Sequence, residues 1–262
     1  MRRTLVLVLM VALAGCGDGD GDNAPSGTEA PATETMPTGT VSPDPPDVQT
    51  VLVYFLRDGR IAATTRTVPA TKAVARAALK ALPDGPTVEE RDIGFETEVP
   101  VDLRIDSLTI AGGTATLDLS SGNGCPPMAQ VVYTLTQFPT VERVAGNCLP
   151  DGPADRRTFE DVAPAILVEH PAPFEEVESP LRLRGTANTF EATFQITLVD
   201  WDGRIIHEQF ATATSGTGTR GTFDVTIPFT VDREGGAVIV YELSAKDGSR
   251  INLIEIPLRL LP

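Results

Sequence analysis

Histidine and cysteine are nearly missing from this sequence: its 262 residues hold two of the first and three of the second. His170 and His207 stand far from each other and from the cysteines, so no zinc-ligand spacing exists, and no cofactor is implied. Tryptophan occurs once and aromatic residues make up 5% of the chain, which leaves little for the stacking platforms that sugars need. Basic residues number 21 against 36 acids, a net charge of −15 at pH 7. Nucleic-acid binding depends on phosphate neutralisation by Lys and Arg, so this balance excludes it. No glycine loop is built to cradle phosphate. Nor is there an apolar run of the roughly 20 residues that a spanning helix needs.

The longest apolar run, residues 5–13, follows Arg2 and Arg3 and ends at Leu13-Ala14-Gly15-Cys16. A basic start, a short apolar stretch and small residues before a break describe an export signal over 1–15. Leu-Ala-Gly-Cys resembles the bacterial lipobox, which implies cleavage before Cys16 and lipidation of its thiol. Two acyl chains hold a protein stably on a membrane, whereas one is marginal. Membrane lipid is therefore an expected partner, through acylated Cys16, and the expected location is extracytoplasmic. Residues 17–48 contain seven acids, six prolines and no Lys or Arg. Such a composition predicts an acidic, disordered tether over 16–48. Asp18, Asp20, Asp22 and Glu29 fall at calcium-loop positions, but Asn23 stands where that loop needs Gly and Pro25 follows. The tether reading accounts for them better.

Without the signal and the tether acids, residues 49–262 carry a net charge of −10. Their length suggests two domains of ordinary size. Cys125 and Cys148 remain once Cys16 is used, each flanked by turn residues. Outside the cytoplasm such a pair predicts a disulfide, closing a loop worth about 3 kcal/mol.

Residues 49–152 read as an α+β domain, two helices on a small sheet. Residues 51–56 form a short β-rich apolar run ending at the Asp58-Gly59 turn, and 61–68 can return as a second strand. Apolar residues at helical spacing predict a helix over 71–82, with Thr71 as N-cap and Pro83 as its stop. Alternation on either side of Gly112-Gly113 predicts a hairpin. Met128, Val131, Val132, Leu135 and Phe138 form one helical stripe after Pro126-Pro127, and 141–145 reads as a last strand. The order strand, Asp-Gly turn, Ala-rich helix, Leu82-Pro83-Asp84-Gly85-Pro86-Thr87, hairpin, Leu117-Asp118-Leu119-Ser120 resembles the GerMN domain of sporulation and germination lipoproteins. The stretch from Gln130 to Val144 is the most specific part of that resemblance. One departure is Ser121-Gly122-Asn123-Gly124-Cys125, where the family has a longer apolar or aromatic segment.

A linker over 153–163 precedes period-2 alternation with turn signals every 8–12 residues, the mark of an all-β sandwich. Expected strands are 166–169, 181–187, 192–199, 204–212, 221–229, 237–244 and 251–260, an immunoglobulin-like set over 164–262. Pro171-Ala172-Pro173, Ser179-Pro180-Leu181, Gly185 to Ala192 and Glu242 to Ser249 resemble the Gmad2 domain, which often accompanies GerMN.

Chemistry is scarce in these patterns. Ser215 has no nucleophile-elbow context to join a histidine. The pairs Glu96/Glu98 and Asp102/Asp106 read as solvated carboxylates in a chain rich in them. No catalytic residue is expected, and the chain reads as a non-enzyme. The candidate binding surface is Asp200-Trp201-Asp202, because a lone Trp at a hairpin tip suits a binding anchor; the competing reading folds its ring over the sandwich end. The resemblance implies a scaffolding or interaction role in envelope complexes, of sporulation type in some relatives and sensor-accessory type in others. Envelope proteins are then the expected partners. The alternative is a module for cell-wall glycan or a small ligand.

Overall fold

The computed structural model describes residues 47–262. Cys16, the signal segment and almost all of the tether lie outside the described residues. β1 (Val48–Arg57) and β2 (Arg60–Pro69) form a hairpin whose Arg57↔Arg60 register leaves only Asp58 and Gly59 to turn. Both turn residues have positive φ, 52° and 69°, as a tight hairpin with native strand twist requires. α1 is Val74–Lys80, shorter than its periodicity suggests. Thr71 does not cap it; its Oγ1 accepts from Ala73 N–H instead, so 71–73 turn before the helix begins. At the other end, Ala81 and Leu82 bond back to Ala78 and Leu79, tightening the last turn ahead of Pro83.

α2 (Val88–Asp92) and β3 (Phe95–Glu96) follow. Then come β4 (Arg104–Ala111), β5 (Thr114–Ser120), α3 (Met128–Leu135) and β6 (Arg143–Gly146). The expectation of two helices on one small sheet is therefore corrected: this region has three α-helices and two three-stranded sheets, β2-β1-β3 and β4-β5-β6. The missed helix is α2, held by a capping box in which Thr87 and Glu90 bond each other's backbone N–H. β5, α3 and β6 make a parallel β-α-β unit. Cys125 and Cys148 are joined by a disulfide with Cα atoms 5.4 Å apart, tying the entry of α3 to the exit of β6. Gly146 is required there, since a Cβ would meet Leu117 O at 1.9 Å.

β1 is apolar on both faces because both faces are covered. Val51, Val53 and Phe55 point into the core formed with α1 and α3. Tyr54 and Leu56 belong to a second cluster with Tyr133, Ala163 and Leu167.

The C-terminal region contains β7 (Ile166–His170), β8 (Glu176–Val177), β9 (Leu181–Ala187), β10 (Thr193–Asp200), β11 (Ile205–Thr212), β12 (Gly221–Ile227), β13 (Gly236–Leu243) and β14 (Arg250–Leu260). They form a five-stranded sheet, β11-β10-β13-β14-β8, facing a three-stranded sheet, β12-β9-β7. Phe194 and Phe223 meet between the sheets, ring centroids 4.8 Å apart, among Ile196, Leu198, Val238 and Leu183. The seven expected strands are present with ends shifted by a residue or two; β8 is an addition of two residues.

Candidate functional site: a junction cleft and an apolar sheet face

The described residues fall within one compact unit, and the segment 153–163 helps make it so. Asp155 accepts from the N–H groups of Arg157 and Thr158 and starts a 3-10 helix, Arg156–Val162. That cap places Arg156 over the rings of Tyr54 and Tyr133, at 5.1 and 4.9 Å. Its Nη1 donates to Glu169 Oε1 at 2.7 Å, its Nη2 to the Tyr54 hydroxyl at 2.9 Å and its Nε to Thr136 Oγ1 at 2.9 Å. The Tyr54 hydroxyl donates to the same Glu169 carboxylate. β1, α3, the 3-10 helix and β7 thus converge on one part-buried ion pair. Burial, then the neighbouring Glu169 charge, push the Tyr54 pKa well above the ordinary tyrosine value, against an opposing pull from Arg156.

A second clamp lies beside it. Arg220 Nε donates to both oxygens of Glu160, at 3.1 and 3.0 Å, and Asn188 Nδ2 donates to Oε1 at 2.9 Å. Burial raises the Glu160 carboxyl, but Arg220 and Asn188 outweigh it and hold the group below the usual range. Between this second clamp and β14 opens a cleft of 580 Å³. Arg57 crosses it to Glu255 O at 2.7 Å, and Arg60 reaches Asp161 O at 2.5 Å.

The five-stranded sheet has a second notable surface. Opposite partners in a sheet share a face, so Phe210 with Gln195, and Ile205 with Val199, lie on the side away from the Phe194 core. The same side continues through Ala237 and Ile239 to Pro257 and Glu255. Phe210 is 69% exposed and Ile205 52%. Trp201, at the adjoining turn, is 48% exposed with the Arg233 guanidinium over its ring at 4.7 Å. The ring is neither core nor bare.

The three residues of the expected binding surface separate. Asp200 is corrected to a structural role: it is buried, its Oδ1 accepts from Asp202 N–H and Arg204 N–H, and its Oδ2 accepts from Arg204 Nε. Burial raises its pKa, yet those donors prevail and keep it below the usual aspartate range. Trp201 and Asp202 remain on the surface. His170 pairs with Glu175 and His207 with Gln209, while Asp102 accepts from Gly122 N–H. Among the described residues no three His, Cys, Asp or Glu side chains converge on a metal position, and no helix is long and apolar enough to cross a membrane. The sequence reading missed Arg156, Glu169, Arg220 and Glu160 altogether. Its one available signal was β1 itself: a strand apolar in both parities needs cover on both faces.

Fold and site define a two-domain chain, an α+β unit fused through a polar junction to an immunoglobulin-like sandwich. Residues 52–145 match the model of the Germane family, described as sporulation and spore germination, and residues 165–249 match that of Gmad2, described as the immunoglobulin-like domain of bacterial spore germination. The first GerMN domain of the sporulation protein GerM from Bacillus subtilis is 28% identical, with 37% of this chain and 80% of that one covered and a TM-score of 0.32. The tandem GerMN domains of the same protein are 19% identical, covering 70% of this chain and 62% of that one, with a TM-score of 0.34. No curated protein matches the chain.

Proposed function

We propose that this protein is a lipid-anchored, extracytoplasmic interaction module, non-catalytic, that scaffolds a protein complex of the cell envelope. The observation that carries the reading is the outward face of the five-stranded sheet. Soluble surfaces rarely concentrate large apolar groups on one rigid face, and those that do mark contact sites. Here Phe210, Ile205 and half-exposed Trp201 stand on one such face and its adjoining turn. The sporulation and germination descriptions of both families favour a complex of that type over an isolated catalyst. Anchoring rests on the lipobox-like Leu-Ala-Gly-Cys at residues 13–16 and the short apolar run before it. Glycan binding is less well supported, because Trp201 offers a sugar a ring already covered by Arg233.

The test is crosslinking and affinity capture from intact membranes, with the native chain beside Phe210→Ser, Trp201→Ala and Cys16→Ser variants. The reading expects one defined envelope protein with the native chain, its loss with Phe210→Ser, and release of the Cys16→Ser chain from the membrane fraction. Capture of cell-wall fragments in place of a protein would replace it with glycan binding.

A further inference from the structure

The junction cleft is lined by Arg57, Arg60 and the strand edge of β14. Its 580 Å³ falls within the ~300–1,000 Å³ typical of ligand sites, and domain junctions are where such sites concentrate. One wall is an open strand edge. β14 pairs with β13 along one side, but on the other β8 meets only Arg259 and Leu260. The stretch from Asn252 to Ile256 therefore lines the cleft with no strand on its outer side, where only the Arg57 guanidinium holds Glu255 O, and an edge without a strand partner is a template for an added one. Leu253, 49% exposed on this wall, offers an apolar contact, and Ile61 and Leu167 also line the cleft. Asn252, beside it, has a φ of 52° and sits at the irregularity where β13 and β14 fall out of register. Bulged strands re-aim side chains near binding sites.

The charges at the mouth decide the kind of ligand. Arg220 is neutralised by Glu160. Arg57 and Arg60 are not: they donate to the main-chain carbonyls of Glu255, Asp161 and Ala163. Neither makes an ion pair within 4.0 Å, although the Asp58 and Glu255 carboxylates share the rim. A carbonyl accepts a hydrogen bond without cancelling charge. Each guanidinium has five N–H donors, so most of them stay available for a carboxylate. The one aromatic side chain lining the cleft, Phe95, is only 4% exposed, which leaves no platform for a sugar.

We propose that the cleft is a peptide-binding site: an extended acidic segment of a partner polypeptide adds as a strand along Leu253–Ile256, displaces Arg57 from Glu255 O and sets a carboxylate between Arg57 and Arg60. The proposal rests on the interaction reading above and supplies the chemistry of the partner. Strand addition draws affinity from the backbone and specificity from alternate side chains.

Selection of random linear peptides on the detergent-solubilised full chain tests it, followed by titration of the enriched peptide. The expected winners alternate β-branched residues with Asp or Glu. Their binding falls about tenfold or more with the Arg57→Gln, Arg60→Gln pair, the scale of losing one charge-assisted contact. Because those arginines also bridge the two domains, Leu253→Asp is the second variant; its side chain is already half exposed, so folding survives while binding drops. N-methylation of alternate amides in the peptide should abolish binding. Basic or uncharged winners, affinity that survives N-methylation, or a peptide displaced only by Phe210→Ser overturns the proposal. A membrane partner captured through Phe210 with no peptide selected sinks the cleft but leaves the interaction reading intact. Absence of both sinks both.

Discussion

In the sandwich, buried polar groups sit at its margins: Asp200 ties a turn, Glu242 holds Phe190 N–H and the Asn252 side chain, and Thr197 lies on the outer face. In the α+β domain they sit between layers. Gln130 of α3 donates to Tyr54 O and accepts from Glu98 N–H, Thr134 accepts from Tyr54 N–H, and Gln137 both donates to and accepts from the Leu52 backbone. One side of the helix thus serves as the missing neighbour of β1, whose pairing with β3 covers only Leu56 and Arg57. A small α+β unit with three-stranded sheets satisfies part of its backbone through particular side chains, whereas the eight paired sandwich strands satisfy theirs mainly through one another. The first is specific and fragile; the second is generic and forgiving.

The contrast breaks most sharply at the junction. Arg156→Ala leaves the part-buried Glu169 carboxylate without its cation in a site shared by both domains, a loss at the lower end of the ~3–5 kcal/mol for breaking a buried pair. The lone Trp201 reports the sandwich, and with Tyr241 of β13 replaced by Phe throughout, Tyr54 and Tyr133 report the α+β side. Urea unfolding of the native chain should show both signals moving together, and Arg156→Ala should separate them, tyrosine first. Coincident curves in the variant would mean the ion pair does not couple the domains. Removing the disulfide through Cys125→Ser and Cys148→Ser comes next, at about 3 kcal/mol for a loop of this size. In an Arg156→Ala background its effect should fall on the tyrosine signal alone. A shift in the Trp201 transition would show that the staple serves the sandwich as well. Smaller again is Gln130→Leu, about 2 kcal/mol, because Tyr54 O and Glu98 N–H lose a buried partner. A loss below ~0.5 kcal/mol, the ordinary surface-substitution scale, would remove Gln130 from its place as a surrogate strand.

The same contrast explains what was legible beforehand. Sandwich strands alternate because one face is core and the other is not, so 181–187 and its neighbours can be located from polarity alone. α3 was visible by its apolar stripe, but Gln130 and Thr134 carry no local mark of burial; their partners are 30 to 80 positions away. α2 left a signal in Thr87 and Glu90, a capping box over only five residues, too short to show a period. Arg156 left none, since an arginine in an acidic linker looks solvated until β1 and β7 are brought together. Asp200 misled for a related reason: an aspartate two residues before Asp202-Gly203 reads equally as a surface charge or as the group that makes the turn.

The finest test is titration at the alkaline end. Acid affects both domains, because Glu90, Glu160 and Asp224 are all held below their ordinary values. High pH bears on the junction through Tyr54. Its folded pKa is raised, first by burial and then by Glu169, above the ordinary 10.0. The neutral hydroxyl is what the folded site needs as a donor, so its contribution is fully present below that value. As pH rises past it, the unfolded chain ionises Tyr54 while the folded chain does not, and stability drains until the folded value is reached. Tyr54→Phe removes the ionisation and keeps the ring beneath Arg156. Its urea stability should start lower at pH 8, for want of the bond to Glu169, and then decline less steeply between pH 10 and 11.5. Parallel declines would assign the alkaline loss to groups other than Tyr54, the neighbouring Tyr133 among them.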